Sequence, residues 1–232
     1  PAGIAMDVNK GPLEKAQEHI REEKIGGKIA TRLGNGLAPL EPGETDTVII
    51  AGMGGDLICK ILKAKPEFLI EGKEFILQPQ SEWFKIRRLL KEYRYQIEKE
   101  WFLKEDGKYY VIIKAEPAWT QPQRLKHQQP SIHEYIKEIS DTQVNQAVSE
   151  KDMESIYEQY GKYLIETKNP VLKEYLEKEI TKKESIAAEL KQSIKEIESE
   201  ELSGKERGNI AKRQRRYQEI QKEIRDMRKA IG

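Results

Sequence analysis

Four short motifs in this sequence combine residue types that can do chemistry. Asp7 closes the apolar run Gly3–Val8 and is followed by Asn9-Lys10-Gly11-Pro12. A carboxylate at the end of a strand can accept both vicinal hydroxyl protons of a ribose, with better geometry than a neutral amide. Asn35-Gly36 can present a side-chain amide beside a purine edge. Ala51-Gly52-Met53-Gly54-Gly55 leaves backbone bare, so a flat base or a sulfonium group can approach closely. Gln78-Pro79 stops a fourth apolar burst, Phe75–Leu77. Each glycine alone is explained equally well by turn formation. Four such motifs at successive strand ends favour a shared site, half of a nucleotide-type cofactor pocket. No Walker lysine motif, complete Gly-x-Gly-x-x-Gly, Ser-His-Asp set or HExxH motif occurs, although Gly52-Met53-Gly54-Gly55 is a partial echo of a dinucleotide loop. His127 and His133 have no Cys or acid at metal spacing, so no metal is expected.

Positioning these motifs takes an alternation of strands and helices. Gly3–Val8, Lys28–Leu33, Thr47–Ala51 and Phe75–Leu77 read as strands, with helices over Pro12–Lys24, from Leu57 to Leu62, and over Glu82–Tyr93. Thr47–Ala51 is continuously apolar and predicts a strand covered on both faces. Tyr95–Leu103 and Lys108–Lys114 flank Glu105-Asp106-Gly107, a hairpin signal. The pattern predicts a doubly wound α/β sheet, in which ligands sit at the carboxyl ends of the parallel strands.

Composition adds a second part. Lys and Arg total 41 against 40 Asp and Glu, a net +1 that excludes a globally polycationic nucleic-acid binder. Charged residues make up 35% and hydrophobic ones 37%, which calls for long solvated helices beside a globular core. The single Cys59 excludes an internal disulfide and fits a reducing cytosol. No apolar run approaches the roughly 18 residues of a membrane span. Residues 118–170 form a Pro- and Gln-bearing connector with helices expected over Ile132–Ile139 and Met153–Thr167. Beyond it, Leu176, Ile180, Lys183, Ala187, Leu190, Ile194 and Ile197 recur at heptad spacing. A second series runs Ile210, Tyr217, Ile220, Ile224, Met227, Ile231. Neither stripe can be buried alone, so a fold-back at Ser203–Gly208 into an antiparallel coiled-coil hairpin is expected. The second arm is basic, and Lys212, Arg213, Arg215 and Arg216 are its candidate phosphate contacts.

Asp7-Val8-Asn9-Lys10-Gly11-Pro12, Arg32-Leu33-Gly34-Asn35-Gly36-Leu37, Ile50-Ala51-Gly52-Met53-Gly54-Gly55 and Leu77-Gln78-Pro79-Gln80 closely resemble the TrmK family. Glu105-Asp106-Gly107-Lys108-Tyr109-Tyr110 and Tyr160-Gly161-Lys162-Tyr163-Leu164 extend the resemblance, which runs on through the helical hairpin. Only the Ile-Ala-Gly-Met-Gly-Gly turn is specific by itself. The resemblance implies a Rossmann-like class I methyltransferase that uses S-adenosylmethionine to methylate N1 of adenine 22 in bacterial tRNA, in the cytoplasm. It implies Asp7, Val8, Asn35, Gly36, Leu37, Ala51 and Gly52 as cofactor-binding residues. Gly52, Met53, Gly54, Gly55, Gln78 and Pro79 are the corresponding candidates for the substrate-adenine pocket. Asn35 stands where the family usually has Asp, and it retains a hydrogen bond to adenine.

The family also has a first strand and an Asp-x-Gly-type loop ahead of the position of Pro1. The expectations are therefore a sheet truncated at its N-terminus, a gap between Gly3–Val8 and Thr47–Ala51, and no measurable transfer by this chain alone. The domains expected are residues 1–117, an N-terminally incomplete methyltransferase domain; 118–170, the connector; and 171–232, the coiled-coil hairpin. The competing function is a catalytically inactive RNA-binding or adaptor protein with a coiled-coil arm. An NAD-type oxidoreductase is disfavoured by the missing dinucleotide loop. Oligomeric state is not legible.

Overall fold

Short β-branched runs punctuated by glycine become strands here, and the polar stretches between them become helices. The computed structural model describes residues 3–119, 148–198 and 204–232, with side chains over 3–119, 152–197 and 209–232. In chain order the elements are β1 (Gly3–Asp7), α1 (Lys10–Glu22), β2 (Ile29–Leu33), β3 (Thr47–Met53), α2 (Gly55–Lys63), α3 (Pro66–Ile70) and β4 (Glu74–Pro79). They continue with α4 (Trp83–Glu92), β5 (Tyr95–Glu105), β6 (Lys108–Pro117), α5 (Val148–Tyr160), α6 (Lys162–Glu166), α7 (Pro170–Glu198) and α8 (Gly204–Ile231). The expected helix Ile132–Ile139, with His127 and His133, lies outside the described residues.

β1 and β2 pair in parallel, from Gly3 opposite Ile29 to Asp7 opposite Leu33. The other four strands are ordered β3-β4-β6-β5, with β3 parallel and β6 antiparallel to β4. The β5–β6 turn holds Asp106 and Gly107 at φ 47° and 76°, the doubly left-handed backbone of a tight hairpin. Among the described strands, β1 and β3 do not pair with each other.

Val48, Ile50, Phe75, Leu77, Ile113 and Ala115 share one face of the four-stranded sheet by register, and all are buried. Ile58 and Leu62 of α2 and Ile86, Leu89 and Leu90 of α4 complete that core. The expectation that Thr47–Ala51 is covered on both faces fails. Ile49 is 67% exposed and Ala51 is exposed, while Val48 and Ile50 on either side of Ile49 are buried. β3 thus has the alternation of a strand covered on one face only. A continuous apolar run carries no signal for which face stays open.

Of the described residues, those of Pro1–Lys99 and Ile112–Val144 form one unit; those of Glu100–Val111 and Asn145–Gly232 form the other. The division falls inside the hairpin, whereas the sequence puts it after residue 117. The tip is tied to α7. Lys104 Nζ and Tyr109 Oη donate to Glu174 Oε1 at 2.6 and 3.1 Å, Lys178 Nζ adds a third donor at 2.7 Å, and the Phe102 and Tyr109 rings pack on Tyr175. The expected helix Met153–Thr167 is broken into α5 and α6 by Gly161, whose φ of 92° a helix cannot hold.

α7 and α8 run antiparallel. Ser193 of α7 meets Arg213, and Lys183, earlier in α7, is ion-paired with Glu223, later in α8. Leu176, Ile180, Ala187 and Ile194 of α7 are buried, as are Ile210, Ile220, Ile224, Met227 and Ala230 of α8. The heptad position held by Lys183 is filled by that ion pair. Gly208, expected in the turn, lies within α8.

Candidate active site

Each motif singled out by sequence stands at the end of a strand in the first unit. Asp7 ends β1, and its Oδ1 accepts the Asn9 N–H at 2.7 Å. The Asp7 backbone oxygen accepts the Gly34 N–H at 3.0 Å, which draws the loop after β2 to the end of β1. Val8 is 61% exposed beside it. Gly36 needs its left-handed φ of 55°, and a Cβ there would lie 2.8 Å from the Ile61 side chain on α2. The Asn35-Gly36 loop therefore rests on the helix that starts at Gly55. The Leu37 side chain is only 3% exposed and packs into the core, so its backbone is what it offers a ligand.

The loop is held in place by a pair that sequence reasoning missed. Arg32 Nη1 and Nη2 donate to the two Glu44 oxygens at 2.6 Å each, and Nη1 also donates to the Pro39 carbonyl at 2.9 Å. Glu44 also accepts the Glu41 N–H at 2.8 Å. The Arg32 hydrogen bonds first, and the Glu41 N–H second, hold the Glu44 carboxyl down at about 2. Twelve residues separate Arg32 from Glu44, and no local pattern marks the pairing.

The turns after β3 and β4 are clasped together. Gly52, at φ 80°, donates its N–H to Gln78 Oε1 at 2.8 Å. Gln80 N–H donates to the Met53 oxygen at 2.9 Å, and Gly55 N–H to the Ser81 oxygen at 2.9 Å. A Cβ on Gly55 would fall 2.6 Å from the Glu82 carbonyl oxygen and 2.7 Å from that of Ser81. Only glycine permits this approach. Trp83 Nε1 donates to the Pro79 oxygen at 3.1 Å, which closes the second turn. Glu82 sits at φ 53° and accepts the Asp56 N–H through Oε2 at 3.2 Å. Ser81-Glu82 before α4 was legible only as an ordinary helix start.

Beyond the clasp, α2 and α4 border a groove of about 530 Å³ lined by Asp56, Cys59, Lys60, Lys63, Lys85 and Arg88 among others. Hydrogen bonds from Lys60 and then Lys85 hold Asp56 at about 2, and burial pushes the Cys59 thiol up, away from reactivity. None of the motif residues lines this groove. No group of three potential metal ligands occurs among the described residues.

In the second unit the candidate RNA contacts divide. Arg213 Nη1 donates to Ser193 Oγ at 2.7 Å between the helices, and Arg216 pairs with Glu219 and Glu223 at 3.1 and 3.4 Å. Both are occupied, Arg213 by α7 and Arg216 by carboxylates farther along its own helix. Lys212 and Arg215 are exposed without a side-chain partner among the described residues, as are Lys222 and Arg225, which sequence reasoning left out of the set.

Comparison with known proteins gives one answer. The family described as TrmK, tRNA (adenine(22)-N(1))-methyltransferase, matches residues 1–159. The tRNA (adenine(22)-N(1))-methyltransferase of Bacillus subtilis (strain 168) is 32% identical, covering 61% of this chain and 72% of its own length. A solved structure from Listeria monocytogenes serotype 4b superposes with a TM-score of 0.71 at 24% identity, covering 100% of this chain and 83% of that one. The B. subtilis m1A22 tRNA methyltransferase TrmK gives 0.66 at 24%, covering 100% and 82%. M. capricolum TrmK, solved with S-adenosyl-homocysteine, gives 0.63 at 22%, covering 99% and 80%. The structural likenesses establish a Rossmann-like fold, and the sequence matches go further. The chain belongs to the TrmK family of tRNA (adenine(22)-N(1))-methyltransferases.

Proposed function

We propose that this protein methylates N1 of adenine 22 in tRNA with S-adenosylmethionine, and that its site is built on the ends of β1 to β4. The observation that carries the reading is the clasp of Gly52–Gly55 against Gln78–Glu82. It is a bare backbone surface at the carboxyl ends of two adjacent parallel strands, where this sheet class binds ligands. The residues present fit an adenosyl group. Asp7 has one carboxylate oxygen engaged by Asn9 and the other open to ribose hydroxyls. Asn35 offers an amide to a purine edge. Gly52, which has no Cβ, leaves room at its left-handed turn. When bound, S-adenosylmethionine supplies an electrophilic methyl group.

The nucleophile, adenine N1, already carries a lone pair. The site therefore needs no strong base, and orientation with electrostatics carries the acceleration. The clasp fixes the backbone around the base, while Arg32–Glu44 fixes the Asn35-Gly36 loop. Incubating the protein with tRNA and labelled cofactor tests the reading: label should enter the tRNA, and its absence counts against it. An adaptor role would give tRNA binding without transfer.

Two finer readings accompany it. α7 and α8 act as a coiled-coil arm that grips tRNA phosphates through Lys212, Arg215, Lys222 and Arg225, which places the protein in the cytoplasm with its substrate. Among the described residues no helix is long and apolar enough to cross a membrane. The second reading is that β1 and β3 flank the place of one further strand. Each leaves one edge unpaired among the described strands, and Ile49 and Val8 are exposed. Outward amides of β3 should exchange rapidly with solvent, and slow exchange would contradict an unpaired edge on that strand.

A further inference from the structure

Gln78 carries a feature that the clasp does not use. In the β3–β4 ladder it stands opposite Ala51, on the open face of the sheet. Its Oε1 is committed to the Gly52 N–H, which fixes the orientation of the amide, since an NH2 group cannot accept from a backbone donor. Nε2, so assigned, is buried and has no hydrogen-bond partner among the described residues. A buried unmatched donor is costly and calls for a reason.

Adenine supplies the match. Its N1 must keep a free lone pair to receive the methyl group, so a donor from the protein has to go elsewhere on the ring. A carboxamide pairs with adenine along the Hoogsteen edge, donating to N7 and accepting from the 6-amino group. Gln78 has both functions left: the free Nε2 hydrogens, and the second lone pair of Oε1, of which Gly52 uses only one. We propose that Gln78 reads the Hoogsteen edge of the target adenine and so determines base specificity while leaving N1 open to the cofactor. The inference rests on the methyltransferase reading above. Guanine is rejected because its O6 would face Oε1, acceptor against acceptor. Gln80 is exposed, and its Nε2 lies 4.0 Å from where a Cβ on Gly52 would stand, beside the same turn.

The test pairs a residue change with an atomic change in the substrate. Natural tRNA and tRNA with 7-deazaadenosine at position 22, which lacks N7, are methylated by the parent protein and by Gln78→Glu. Glu keeps an oxygen for Gly52 but has no donor when ionised. The parent should lose about 3- to 10-fold in kcat/KM on the 7-deaza tRNA, the worth of one neutral hydrogen bond. Gln78→Glu should lose at least as much on natural tRNA and show no further loss on the 7-deaza tRNA. Equal rates of the parent on both tRNAs, or a further fall of the variant on the 7-deaza tRNA as large as the parent's, would overturn the proposal. A failure of the parent to methylate natural tRNA would refute the methyltransferase reading instead. The Gln78 proposal is then decided by the Gln78 side-chain amide resonances: they should move on titration with adenosine but not with 7-deazaadenosine, and an identical response to both would sink it.

Discussion

Replacing Gly55 with alanine should separate the two turns of the site by a predictable amount. A Cβ at Gly55 would sit 2.6 and 2.7 Å from two backbone oxygens, whereas real Cβ atoms essentially never approach within 3.0 Å. Both obstacles are main chain, in Ser81 and Glu82, so no rotamer can relieve them. The turns must part by at least about 0.4 Å, which stretches the 2.9 Å Gly55 N–H to Ser81 bond past the usual ~3.2 Å limit. Overpacking of this kind costs about 1–3 kcal/mol, and a weakened hydrogen bond adds about 0.5–1.5 kcal/mol. A net loss of about 2–3 kcal/mol lowers Tm by roughly 4–12 °C for a chain of this size. Gly11→Ala is the control: nothing lies within 4 Å of its Cβ position, and it sits in α1. It should melt at or slightly above the parent temperature, since alanine favours helix over glycine by up to ~1 kcal/mol. Scanning calorimetry with far-UV circular dichroism reads both. A Gly55→Ala protein as stable as the parent would refute the claim that the clasp is tight. Methyl transfer should fall with stability, because misplacement of about 1 Å near a reacting centre can cost ~100-fold.

Asp7→Ala should weaken binding of S-adenosylmethionine by about 1.5–3 kcal/mol, the range for a hydrogen bond to a charged group, as titration calorimetry would show; unchanged affinity would remove Asp7 from the ribose. Neutralising Lys212, Arg215, Lys222 and Arg225 together should weaken tRNA binding and flatten its salt dependence, since fewer counterions are released. Neutralising Arg213 and Arg216, which already have protein partners, should change that slope less; the reverse order would move the grip. Glu44 is held at about 2 in the folded state, below its usual 4.5. Its contribution to stability is thus present above pH ~4.5 and is lost as the pH falls towards 2, because the unfolded state takes up the proton first. Melting curves between pH 7 and pH 2.5 should show Glu44→Gln closing on the parent as acid is added, and a constant difference would contradict the Arg32 pairing.

The strand-end motifs were legible because their signals are local. An acid after an apolar run, or glycines between a strand and a helix, announce themselves within six residues. The features that escaped are set by distant partners. Ile49 reads like Val48 and Ile50 in sequence, and only the placement of α2 and α4 decides which face is buried. Leu37 is adjacent to Asn35-Gly36 in sequence yet turns into the core. Arg213 and Arg215 are indistinguishable as cations, but helical phase turns one towards Ser193 and leaves the other in water. The Arg32–Glu44 pairing and the Gly55 approach to Glu82 join segments that only the folded chain brings together.

The most direct test of the central claim is the position of the methyl group. tRNA treated with this protein and S-adenosylmethionine should block reverse transcription at adenine 22, because methylation at N1 destroys base pairing, and tRNA carrying guanine at 22 should give no block. A block at another adenine, or methyl incorporation that persists when adenine 22 is replaced, would contradict the account.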